Sequence, residues 1–231
     1  MKRVILSADD FGLDLSVNEA VEHAYRDGVL TSASLMVGEE AAEDAVARAR
    51  RLPGLAVGLH VVLADGRPVS PAESVPDLVD SSGRFPREMV TQAFRFFLSS
   101  GIRRQLEREI SAQFEAFAAT GLLLDHVNAH KHFHLHPTIA SLILRVGSRY
   151  GLRAVRVPAE PRGVIKAAEA HRRPGRVGAA ALNLWTRQLR SAIAQHGCVA
   201  NDHVFGLAWT GGMTEERLLS LIPRLPDGTS E

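Results

Sequence analysis

Half of the ten histidines fall in one stretch, Asp125-His126-Val127-Asn128-Ala129-His130-Lys131-His132-Phe133-His134-Leu135-His136-Pro137. Imidazole is the commonest neutral metal ligand. On an extended strand alternate residues share a face. His126, His130, His132 and His134 are therefore expected on one side, with His136 if the strand reaches it. Burying so many titratable groups without a partner is costly, which points to metal binding. Asp9 and Asp10 form a second cluster, followed by Gly12. Adjacent carboxylates repel unless a cation or donors compensate. A metal is the simplest compensation, and a helix-capping Asp-Asp turn fits the pair equally well when it is taken alone. His60, in Gly58-Leu59-His60, is the third element. In isolation it reads more readily as a satisfied core histidine than as a ligand.

The elements that must position these groups alternate along the chain. Residues 4–7 form a short apolar run ending in the turn that holds Asp9 and Asp10. Ser16 with Glu19 fits a capping box, and Val17, Ala20, Val21 and Ala24 follow at helical spacing up to Gly28. Strands are expected at 30–37, 55–62 and 122–130, a short one at Val155 and Val157, and another at 198–207. Helices are expected at 39–52, 88–119 with a break near 99–101, 137–150 with Pro137 in its first turn, 178–196, and 215–222 capped by Thr214. Residues 65–87 read as a long loop of the kind that forms a wall or lid. Residues 160–176 read as a solvated basic connection. The alternation predicts an α/β protein with a parallel sheet, either open and doubly wound or closed as a barrel. The helix at 178–196 is expected to pack against the core.

All three chemical elements fall at expected C-terminal strand ends, where α/β sheets and barrels gather ligands and catalytic groups. One carboxylate and two histidines leave positions on a metal open for water and substrate. Such a metal acidifies bound water and polarises a carbonyl. A second, unligated carboxylate beside it serves as a general base. The residues themselves point to metal-assisted hydrolysis of an acyl or related bond.

A chain of 231 residues suits a single domain over 1–231. The 27 Lys and Arg against 26 Asp and Glu give a net charge of +1, which supplies no reason to invoke nucleic acid. The single cysteine, Cys198, excludes an intramolecular disulfide. The N-terminal apolar run is too short for a signal peptide, and none elsewhere reaches the ~18–20 residues of a membrane span. A cytoplasmic protein is expected, with oligomeric state open.

At these residues the sequence resembles the YdjC/ChbG family of carbohydrate deacetylases. The matching segments are Ser7-Ala8-Asp9-Asp10-Phe11-Gly12, Leu30-Thr31-Ser32-Ala33-Ser34-Leu35-Met36-Val37, Val57-Gly58-Leu59-His60-Val61-Val62-Leu63, and His126-Val127-Asn128-Ala129-His130-Lys131-His132-Phe133-His134. The segment Gly206-Leu207-Ala208-Trp209-Thr210-Gly211-Gly212-Met213-Thr214 resembles the hopanoid-associated HpnK branch. The resemblance implies an imperfect (β/α) barrel similar to polysaccharide deacetylases. It implies metal ligands at Asp10, His60 and His130, with Asp9 as general base, and His132 and His134 as candidates for substrate contacts. The implied substrate is a small N-acetylated sugar or glycolipid, and for that branch an N-acetylglucosaminyl hopanoid. The implied cofactor is a divalent metal. Such donors suit Zn²⁺, Co²⁺, Mn²⁺ or Ni²⁺, and Mg²⁺ is less usual with two imidazoles.

Two departures from the family pattern stand out. The family usually shows Asp-Ser-His-His-His where this chain has Asn128-Ala129-His130-Lys131-His132. Asn128 thus replaces a carboxylate able to orient a ligand from behind. Related chains also continue past the equivalent of Glu231 into a strand with a His-Pro pair, a candidate general acid. The expectation is that this chain lacks that C-terminal strand, leaving His134 and His203 as weak substitutes. The rival readings are a metal-dependent phosphoesterase or amidohydrolase, and an inactive metal- or sugar-binding protein.

Overall fold

Four strands pair in parallel in the order β2–β3–β4–β5: β2 (Ser7–Phe11), β3 (Ser32–Leu35), β4 (Ala56–Val61) and β5 (Val127–Ala129). The computed structural model describes residues 1–87, 99–161, 163–165 and 177–231. The part of the expected helix over 88–98 and most of the basic connection, 162 and 166–176, lie outside the described residues. β1 (Lys2–Val4) precedes β2 and pairs in parallel with β6 (Gly228–Ser230). Single parallel bridges extend the pairing from Val127 to Val155, from Ala154 to Val199, and from His203 to Ser230.

Helices return the chain between strands. α1 (Leu15–Arg26) is capped by Asp14, whose carboxylate accepts from the Val17 amide at 2.9 Å. The expected cap, Ser16, instead donates its hydroxyl to Asp14. α2 (Ala42–Ala49) follows β3. α3 (Ser100–Ala119) buries Ile102, Leu106, Ile110, Phe114 and Phe117, an apolar stripe at three- and four-residue spacing. α4 (Pro137–Gly147) starts on Pro137 as expected. α5 (Val177–Gln195) places Leu189 and Ile193 in the core, so it packs on the protein body. Thr214 caps α6 (Glu215–Leu221).

Two expected strands are mostly irregular in the structure. At 122–130 only Val127–Ala129 is a strand. At 198–207 only Val199 and His203 make bridges. There the buried Asn201 amide takes the place of a ladder rung: it accepts from the Val157 amide at 2.7 Å and donates to the carbonyls of Val157 and His203 at 2.9 Å.

Apart from a 3₁₀ turn at Ala72–Ser74, the long loop is held by buried side chains. Glu39 accepts from the Arg67 amide, and Glu109 accepts from the amides of Val69 and Ser70. Gln113, beside Glu109, grips both the amide and the carbonyl of Val62. These bonds satisfy backbone groups that would otherwise be buried unpaired.

Candidate metal centre

Asp10, His60 and His130 offer ligand atoms that all lie within 4.8 Å of one another. Asp10 Oδ1 stands 3.0 Å from His130 Nδ1 and 3.2 Å from His60 Nε2. The two imidazoles meet edge to face. The strands deliver these groups directly. His60 is near the end of β4 and is paired in register with Asn128 of β5, while His130 follows β5 immediately.

Asp10 reaches the cluster through an irregularity. The β2–β3 register shifts between Ala8 and Phe11, and Asp10 has φ 61°. A regular strand would send Asp9 and Asp10 to opposite faces. The shift turns both carboxylates to one site, as bulges beside functional sites do. Gly12, at φ 96°, completes the turn, and the buried Asn18 accepts its amide hydrogen at 2.7 Å. A β-carbon at Gly12 would lie 3.0 Å from the Met36 carbonyl, so the position has room for glycine only.

The donor set fits a divalent cation. The fully buried Asn128 puts its amide oxygen 2.6 Å from His60 Nδ1. Its nitrogen lies 3.1 Å from the carboxylate of Asp9, which only accepts, and this fixes which end of the amide is which. His60 must then donate from Nδ1, which leaves Nε2, the nitrogen facing Asp10 and the ligand cluster, as the one that would take a metal. A carboxylate oxygen and two imidazoles form a three-ligand set with open positions. Zn²⁺, Co²⁺, Mn²⁺ and Ni²⁺ suit it better than Mg²⁺.

Asp9 sits beside the triad without joining it. Arg156 Nη1 is 2.6 Å from Asp9 Oδ2, and the same guanidinium binds Glu231 at 2.7 and 2.9 Å. Burial alone would raise the Asp9 carboxyl, but the Arg156 and His60 charges and the Arg156 hydrogen bond hold it far below its ordinary value. Asp10 shows the same balance: burial opposes, and hydrogen bonds from His130 and His60 bring it well down. His60 is driven the other way. Burial disfavours its charge, yet Asp9 and Asp10 raise its pKa above the ordinary value.

The histidine tract departs from the extended strand expected of it. After Ala129 the chain turns into a 3₁₀ segment, His130–Leu135, with Lys131 and His132 at φ 52° and 58°. Alternation therefore fails, and each histidine finds its own place. His132 is half-buried near Asp9 and Arg156, and burial together with the Arg156 charge pushes its pKa down to about 4. His134 does not take the substrate-facing place expected for it. It is fully buried, with Nε2 2.9 Å from the Arg156 carbonyl, where it supports that residue's backbone. His126 lies 3.0 Å from Ser34 Oγ. Lys131 reaches Asp65 in the long loop, which also binds Arg87. The four non-glycine residues with positive φ among the described residues, Asp10, Asp65, Lys131 and His132, all belong to this centre or its rim.

Arg156 is the group beside Asp9 that sequence reasoning missed. Arginine is ordinarily a surface residue, and only its place between Val155 and Val157, inside an expected short strand, marked it. Ser34, inside an apolar strand, carried no signal outside its matching segment.

Fold and site together define a parallel α/β protein with a metal-compatible Asp/His/His cluster at its strand ends. Residues 3–231 match the model of a family described as YdjC-like protein. The chain belongs to that family. A Geobacillus stearothermophilus relative named carbohydrate deacetylase is 34% identical over 97% of this chain and 74% of its own length. A Brevibacillus brevis protein of the same name is 43% identical over 64% of this chain. That match spans only 56% of the Brevibacillus protein's length. A mouse protein, also so named, is 34% identical over 96% of this chain and 71% of its own length. A solved Enterococcus faecalis V583 structure, provisionally named for cellobiose-phosphate cleavage, covers all of this chain with TM-score 0.74 at 23% identity, and shares its fold.

Proposed function

We propose that this chain is a carbohydrate N-deacetylase, with a divalent metal held by Asp10, His60 and His130 and Asp9 as general base. The observation that carries the reading is the second carboxylate. Asp9 lies next to the ligand cluster, is held by Arg156 and Asn128, and is free of the triad. Family membership and the names of the relatives support the reaction class.

When bound, the metal supplies Lewis acidity to water and to the amide carbonyl. Asp10, His60 and His130 orient it. Asp9 accepts the proton of the attacking water. That proton is then available to the departing amine. Arg156, bridging Asp9 and Glu231, keeps the Asp9 carboxylate from swinging. His132, neutral near pH 7, offers a hydrogen-bonding edge to the sugar beside Asp9. The loop at 65–87, tied to Lys131 through Asp65, walls the site.

The ring of bridges through Val155, Val199, His203 and β6 back to β1 supports an imperfect barrel. Among the described residues no helix is long and apolar enough to cross a membrane. The finer substrate proposal, an N-acetylglucosaminyl hopanoid, rests on the resemblance of residues 206–214 alone.

The test is acetate release from N-acetylglucosaminyl substrates, including the hopanoid conjugate and chitooligosaccharides, with and without added divalent metal. Metal-dependent release that Asp10→Ala abolishes is the expected result. Turnover of phosphoesters in preference to acetamides would overturn the assignment.

A further inference from the structure

Behind the ligand cluster runs a line of polar side chains, of which Ser34, His126 and Asp125 have no part in the deacetylation chemistry. It begins at His60 Nδ1, 2.6 Å from the Asn128 oxygen. It continues from Asn128 Nδ2 to Ser34 Oγ at 2.9 Å, from Ser34 Oγ to His126 Nε2 at 3.0 Å, and from His126 Nδ1 to Asp125 Oδ2 at 3.0 Å. Ser34 and Asn128 are fully buried and His126 nearly so, while the Asp125 side chain is half exposed.

The sheet registers build this line. Ser34 is paired with Gly58 across β3 and β4, and His60 with Asn128 across β4 and β5. Alternation then puts Ser34, Gly58, His60, Asn128 and His126 on one face. Gly58 makes the line possible. A β-carbon there would lie 2.5–2.6 Å from three atoms of the His126 ring.

With His126 neutral, the hydrogens run in one direction. Asn128 gives its nitrogen to Asp9 and Ser34, so Ser34 Oγ accepts from it. The single hydroxyl hydrogen of Ser34 is then free to go to His126 Nε2. A neutral His126 completes the line by donating from Nδ1 to Asp125. Every donor from His60 outward points toward the surface carboxylate, and bonds aligned this way polarise one another. Turning the Asn128 amide over would set its NH₂ against His60 Nδ1. His60 would then have to carry its hydrogen on Nε2, where a metal ligand needs a lone pair.

We infer that Ser34 and His126 are positioning residues for His60: through Asn128 they hold its imidazole in the metal-competent tautomer. The inference rests on the reading of Asp10, His60 and His130 as metal ligands. Groups behind metal-bound histidines are worth about 10–100-fold in affinity.

The test is Zn²⁺ affinity by chelator competition, together with the exchange rate of the His60 Nδ1–H proton by NMR in the Zn²⁺-loaded protein. Ser34→Ala and His126→Leu are expected to lose about tenfold or more in affinity and to speed exchange of that proton. His126→Gln, which keeps an acceptor for Ser34, is expected to stay close to the parent on both readouts. Parent-like affinity and exchange in Ser34→Ala and His126→Leu would overturn the inference while leaving the ligand assignment standing. Equal loss in His126→Gln and His126→Leu would reduce His126 to packing and overturn its role. A parent that binds no Zn²⁺ would overturn the ligand assignment and the inference together.

Discussion

Asp9 and Asp10 are neighbours on one strand, yet both carboxylates face the same site, because Asp10 adopts φ 61° where the β2–β3 register shifts. Asp10 touches His60 and His130, and Asp9 touches Asn128 and Arg156. Two identical side chains thus meet different partners. Asp10→Asn is expected to weaken metal binding sharply. Asp9→Asn is expected to leave metal stoichiometry near the parent's and to lower kcat by about 10²–10⁴-fold, the usual worth of a general base. Metal content and acetate release, measured on both variants, separate the roles. Loss of metal from Asp9→Asn would assign it to the ligand set instead.

Arg156 links two carboxylates from opposite ends of the chain, Asp9 and Glu231. Arg156→Met leaves both without their cation. Removing one partner of a buried ion pair costs about 3–5 kcal/mol, and partly exposed Asp9 puts this case at the lower end. A fall in Tm of roughly 6–12 °C is expected for a chain of this size. Arg156→Lys keeps the charge but not the fork that reaches both acids, and should fall between parent and Arg156→Met. Calorimetry on the three proteins checks the order.

Asp65 ties the loop wall to Lys131, with Arg87 on its other oxygen. The Lys131 hydrogen bond, with help from Arg87 and against burial, holds the Asp65 carboxyl below its ordinary 3.8. A depressed carboxylate contributes stability above its unfolded pKa and loses it as pH falls through the folded one. Asp65→Asn is therefore expected to cost about 0.2–1 kcal/mol at pH 7, with the gap to the parent closing below about pH 4. Thermal melts across pH 2–8 would show it. A gap that widens toward low pH would contradict the pairing.

A cation that binds only the folded site stabilises it by about 2.7 kcal/mol at a hundred times its Kd. Added Zn²⁺, Co²⁺, Mn²⁺ or Ni²⁺ should raise Tm by roughly 5–11 °C. Mg²⁺ should do less at equal concentration, since imidazole suits it poorly. His60→Ala and His130→Ala should abolish the shift, and a chelator should reverse it in the parent.

Much of the scaffold was legible in the chain. Pro137 opening α4, Thr214 capping α6 and the apolar stripe of α5 are local signals with local causes. The strand holding His60 was legible for the same reason, since a buried parallel strand reads as an apolar run; the strand holding Asp10 was not, because it lies at Ser7–Phe11, where the sequence reads as a polar turn after the apolar run. Elsewhere the local signal misled. The histidine tract looked extended, but Lys131 and His132 enter the left-handed region and send successive histidines to different places. Ser16 looked like a cap, but Asp14 stands in the extended conformation that lets its carboxylate reach Val17.

By itself the sequence determined which residue types are available: the paired aspartates, His60, the histidine tract, and the alternating elements that bring them to strand ends. Side-chain type and short-range periodicity are properties of the chain alone. Tertiary structure decided the roles. It put Arg156 against Asp9 across 147 positions of chain and Asn128 against His60 across 68. It also set Ser34 and His126 behind them and buried His134 away from the open site. These contacts follow from strand register and one irregular turn. Register is a cooperative outcome of the whole sheet packing its apolar face, so no single segment encodes it.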